Sequence, residues 1–96
     1  MKTKLDRYDL SILVKGLYSM RDRYNAETSN QIDELLLRLI NIFEKMDPDR
    51  KAKIAFNNTE HLIILHNIID WRNQLLQEGK TDAAEYVGEL ILIVSK

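Results

Sequence analysis

"EHLIILHNIIDWRNQLLQEG", residues 60–79, is the stretch on which the fold turns. It has no Pro, its Gly stands at the last position, and its apolar residues recur at spacings of three and four, the signature of an α-helix. Leu62, Leu65, Ile69 and Leu76 form one apolar flank, and Ile64, Ile68, Trp71 and Leu75 form a second. A helix apolar on two flanks has to be covered on two sides. The first flank is expected to fill the core and the second, led by Trp71, to face another chain. The histidines in this helix do not read as a site. His61 and His66 are five residues apart, about 140° around a helix, so they cannot close on one metal ion. His66 shares a polar side with Thr59, Asp70, Asn73 and Gln77 and reads as solvated, while His61, in the first turn, reads as a partly buried neutral imidazole.

Outward from this helix the same periodicity recurs. Leu10, Leu13, Val14, Leu17 and Tyr24 predict a helix from about Asp6 to Asn25. Thr28 with Gln31 has the form of a capping box and predicts the start of a second helix, whose stripe is Ile32, Leu35, Leu36, Leu39, Phe43 and Met46. Pro48 ends it by disfavouring helical geometry at Asp47. The third helix is expected from about Asn58 to Glu78 with Gly79 as its C-cap, and the fourth from Asp82 to Ser95 behind Thr81. Nothing alternates cleanly enough to predict a strand, although "KIAF", residues 53–56, can be locally extended.

The two halves match at an offset of 51 residues. Leu5 corresponds to Phe56, Asp6 to Asn57 and Asp9 to Glu60, so an apolar residue, a capping residue and an acid three positions on open a helix twice. Residues 9–45 set against 60–96 give identities at Arg21/Arg72, Glu27/Glu78, Glu34/Glu85, Leu39/Leu90, Ile40/Ile91, Ile42/Ile93 and Lys45/Lys96, where composition alone gives roughly three. The expected fold is therefore all-α: residues 1–96 as one helical domain, built as two tandem αα-hairpins (5–46 and 56–96) joined by a linker (47–55) and packed as an antiparallel four-helix bundle. An open pair of hairpins completed in a dimer, or a three-helix core with a displaced last helix, are the alternatives.

Composition limits function. The chain has 96 residues, 45% apolar and 30% charged, which predicts a single soluble globular domain. The absence of Cys removes thiol nucleophiles and thiolate metal sites, and suits a reducing compartment. The N-terminal stretch "MKTKLDRYDL" has no apolar signal region, and no apolar run reaches the roughly 18 residues of a membrane span. The expected location is cytoplasmic. A formal charge of −1 argues against a general polyanion binder, unless cations collect in a local patch.

No catalytic, cofactor or metal constellation is legible, so an enzyme is not expected. Arg21 and Arg72 lie within apolar stripes and read as structural buried cations needing a partner. The repeated Glu34 and Glu85 are level with them but point to solvent on the helical wheel. A pair of symmetry-related anion sites at these arginines is the weaker alternative. Arg50, Lys51 and Lys53, beside Asp47 and Asp49, are the candidate phosphate contacts. The apolar surplus, with Ile64, Trp71 and Leu92 as candidate interface residues, predicts a small non-enzymatic interaction or regulatory module. It would self-associate as a homodimer or bind an unidentified protein partner. A nucleic-acid-associated regulator using the basic linker is the alternative.

Overall fold

A computed structural model describes residues 2–95. Strand β1 (Lys2–Leu5) leads into helix α1 (Arg7–Met20) and a 3-10 turn (Arg21–Arg23). Helix α2 (Ala26–Lys45), strand β2 (Ala52–Ala55), helix α3 (Asn58–Gln77) and helix α4 (Thr81–Val94) follow. The four expected helices are present. The two strands are an addition: β1 and β2 pair antiparallel with Thr3 opposite Ile54 and Lys4 opposite Lys53. The expectation of no strand is corrected for both segments, because "KTKL" alternates exposed and buried over only four residues, too short a run to stand out.

Local chemistry sets the helix ends. Asp6 and Asn57 each accept the backbone N–H of the residue three positions on, and Asp9 and Glu60 reach back to the cap N–H, so the two predicted helix starts carry complete capping boxes. The start of α2 differs from expectation. Asn25 is its cap, accepting from the Thr28 N–H at 2.8 Å, and Thr28 lies inside the first turn. Thr81 likewise is the first residue of α4 and not its cap; Lys80 holds that position without a side-chain bond. What stops α3 is Gly79 at φ 76°, where the Gly79 and Lys80 N–H groups donate to Leu76 and Leu75 carbonyls in a Schellman turn. The Lys80 carbonyl then accepts from Ala84, so the turn that ends α3 begins α4.

The close helix approaches are α1 with α2, α3 with α4, and α1 with α3. Leu10, Leu13, Leu17, Ile32, Leu39, Ile64, Ile68 and Leu90 are fully buried between them, and such side chains contribute about 1.5 to 3 kcal/mol each. The face α3 turns inward is the reverse of the one expected. Ile64, Ile68 and Leu75 are buried, while Leu62, Ile69 and Leu76 are 56%, 42% and 45% exposed. The cause is α1, which meets α3 at Gly16. The missing side chain there admits the Trp71 ring, and the buried Asn67 amide donates to the Gly16 carbonyl at 3.3 Å. Gly16 and Asn67 are 51 positions apart, as are the facing residues Thr3 and Ile54. Lys96, the counterpart of Lys45, lies outside the described residues.

The two repeated arginines are not buried. Arg21 is about one-third exposed and forms a two-bond fork to Asp33, Nε to Oδ1 at 2.9 Å and Nη2 to Oδ2 at 2.8 Å. This partner neighbours the Glu34 that the repeat suggested. The fork holds the guanidinium proton more tightly than usual, first through the hydrogen bonds and then through the carboxylate charge. Arg72 is exposed and lies over Gly88; the residue matching Asp33 in the second half is Ala84, so no carboxylate stands in that place.

Candidate nucleic-acid interface

The ribbon sorts its side chains by alternation. Thr3, Leu5 and Ile54 point inward, with Phe56 just past β2, and all are at most 4% exposed. Lys2, Lys4, Lys53 and Ala55 face solvent. Residues directly opposite in an antiparallel pair lie on the same face, so Lys4 sits beside Lys53 and Lys2 beside Ala55. Two like charges directly opposite weaken a sheet. Folding alone gives no reason for that pair.

The linker extends this cationic face. Asp47 closes a turn, accepting from the Asp49 N–H on its side chain at 3.0 Å and from the Arg50 N–H on its carbonyl at 3.1 Å. Its carboxylate stands 3.9 Å from the Arg50 guanidinium, a loose pairing. Lys51 lies close enough to Asp9 to draw the Asp9 carboxyl down. Burial, followed by the Asp6 charge, outweighs this and raises that carboxyl above its ordinary value. Five cations, Lys2, Lys4, Arg50, Lys51 and Lys53, therefore lie on or beside the ribbon. The sequence pointed to the three linker residues and missed Lys2 and Lys4. The offset of 51, which takes Lys2 onto Lys53, is a signal that reaches Lys2; Lys4, whose counterpart is Ala55, has none.

Arg38 braces the ribbon from behind. It donates to Glu60 at 2.8 Å and to the Ala55 carbonyl, and its guanidinium lies over the Phe56 ring, 5.7 Å from the centroid. That bracing joins α2, the end of β2 and the first turn of α3, so the outward lysines stand on a fixed frame.

Two further surfaces exist. A cleft of about 610 Å³ between α1, α3 and α4 is walled by Tyr8, Trp71 and Tyr86, with the two tyrosine rings edge to face at 4.9 Å. Helix α3 carries the exposed Leu62, Ile69 and Leu76, and α4 carries Leu92, 64% exposed. Of the expected interface residues, Leu92 is on the surface. Ile64 is completely buried and can offer nothing to another chain, and Trp71 is half-buried against Gly16. His61 links the two helices, its Nε2 standing 2.8 Å from the Val94 carbonyl, and His66 is exposed. Among the described residues no three His, Asp or Glu side chains come together in a metal-binding group, and no helix is long and apolar enough to cross a membrane.

No family model, curated protein or solved structure matches this chain.

Proposed function

We propose that the chain is a small non-enzymatic regulatory protein that binds duplex DNA with the outward face of its ribbon. The observation that carries this is the placement of Lys2, Lys4 and Lys53 on one exposed face, with Lys4 directly opposite Lys53. The pairing costs stability in the free protein and is repaid only by an anionic partner. The major groove of B-DNA, about 12 Å wide, admits a two-stranded ribbon. The corresponding groove of duplex RNA is too deep and narrow for side chains to read, which favours DNA. The formal charge of −1 remains compatible, because the patch is local.

The scaffold in this reading is a strand–helix–helix unit used twice about a pseudo-twofold axis. Its support is geometric: residues related by such an axis touch each other only where they lie on it, and both Thr3/Ile54 and Gly16/Asn67 are contacts between positions 51 apart. Titrating a fluorescent mixed-sequence duplex at low salt tests the function. Binding is expected to disappear in Lys2→Glu/Lys4→Glu/Lys53→Glu, whose substitutions are all exposed, and a triple variant that binds as well as the parent overturns the reading.

A second property is supported by α3. Leu62, Ile69 and Leu76 are spaced by seven, the spacing of a helix–helix seam, and flanked on one side by His66 and Asn73. Leu92, 64% exposed on the neighbouring helix α4, is the further large aliphatic that this hairpin leaves in solvent. Centred on Ile69, the stripe is complementary to itself when reversed, Leu62 meeting Leu76 of a second copy. A twofold homodimer through this face is the reading it favours.

A further inference from the structure

We infer that the DNA target is an imperfect palindrome whose two half-sites differ at one base pair, a guanine in one and a thymine in the other. This rests on the DNA-binding reading above and goes beyond it to the sequence recognised.

The argument starts from the register. The pairing is symmetric about Thr3 and Ile54, so the axis that passes between them takes Lys2 onto Lys53 and Lys4 onto Ala55. One pair is alike and the other is not. The end of the ribbon formed by Lys4 and Lys53 offers two ammonium groups, and the end formed by Lys2 and Ala55 offers one ammonium and a methyl. The two ends are two residues apart along each strand, about 7 Å, which matches about two base-pair steps.

B-DNA has local twofold axes of its own, so a ribbon centred in the major groove presents its two ends to two equivalent half-sites. Lysine donates to guanine O6 and N7, whereas an alanine methyl makes an apolar contact with the thymine methyl. Lys2 and Lys53 therefore select the same base in both half-sites. Lys4 and Ala55 break the symmetry, Lys4 asking for guanine and Ala55 for thymine. Both side chains are exposed, and among the described residues the Lys4 ammonium has no hydrogen bond or ion pair, so they can make these contacts.

The test is selection of bound duplexes from a randomised library by the full chain, followed by sequencing, with Ala55→Lys and Lys4→Ala run in parallel. The parent is expected to enrich an imperfect palindrome, and exchanging the thymine at the Ala55 position for guanine should weaken binding about tenfold. Ala55→Lys should enrich a perfect palindrome with guanine in both halves, and Lys4→Ala one with thymine in both. An element under a single ribbon that is itself perfectly palindromic for the parent, or that Ala55→Lys leaves unchanged, overturns the inference while leaving DNA binding intact, whether or not a dimer axis repeats that element. Failure to retain any duplex, or tighter binding of an RNA duplex, overturns the reading on which it rests.

Discussion

Trp71 lies against Gly16 so closely that a methyl group on the glycine would come within 2.6 Å of the indole Cε3. The contact sets the distance between α1 and α3, and with it the face α3 turns inward. Gly16→Ala gains up to about 1 kcal/mol of helix propensity. It also drives a rigid ring into a close-packed interface, at a cost of about 1 to 3 kcal/mol. The second effect wins, and chemical denaturation should show a net loss. A stabilised variant would mean that the helices can move apart freely.

The caps offer a second check. Asn25→Ala and Asn57→Ala each remove a side-chain acceptor of a backbone N–H and should cost about 1 kcal/mol. Thr28→Ala and Thr81→Ala remove no such bond and should cost a few tenths of that. The opposite ranking in denaturant midpoints would place the helix starts elsewhere.

Asp9 gives a pH dependence with a definite sign. Burial, then the neighbouring Asp6 charge, raises its carboxyl above the ordinary 3.8, so the folded state holds this proton more tightly than the unfolded chain. The contribution is favourable below the unfolded value and is lost as pH rises through the raised folded value. Asp9→Asn, which can still accept the Asp6 N–H, should therefore unfold at a higher temperature than the parent at neutral pH. The advantage should shrink toward pH 3. An advantage that grows on acidification would contradict this.

The dimer proposed on α3 predicts that Ile69→Glu and Leu92→Glu leave helicity largely intact and shift dimer to monomer in sedimentation equilibrium. A parent chain that is monomeric at about 100 μM, well above a micromolar dissociation constant, would exclude this face as a self-association surface.

Much of this was legible before the structure. Asp6, Asn57 and Gly79 announced their helix ends because caps are local chemistry. Strand β1 was not legible, since four alternating residues carry little signal until a partner pairs with them. The inward face of α3 was lost for a different reason: with apolar residues on two flanks, the helical wheel has no single answer. The offset did contain it, since it carries the buried Leu13 and Leu17 onto Ile64 and Ile68. The partner of Arg21 was not legible: the repeated acid, Glu34, points to solvent on the helical wheel, and the acting acid, Asp33, has no counterpart in the second half. The ribbon patch was legible only in its linker cations, Arg50, Lys51 and Lys53, because Lys2 and Lys4 come from a distant segment that only the fold brings beside them.

The salt dependence of duplex binding tests the central claim most directly. Two linker cations at phosphates, and up to five if the ribbon lysines also displace counterions, should give a slope of log affinity against log salt of about −2 to −4.5. Lys51→Ala, a flanking phosphate contact, should reduce that slope by about 1 and weaken all sequences alike. A parent chain that binds no duplex at about 50 mM salt, or binds with a slope near zero, would contradict the account.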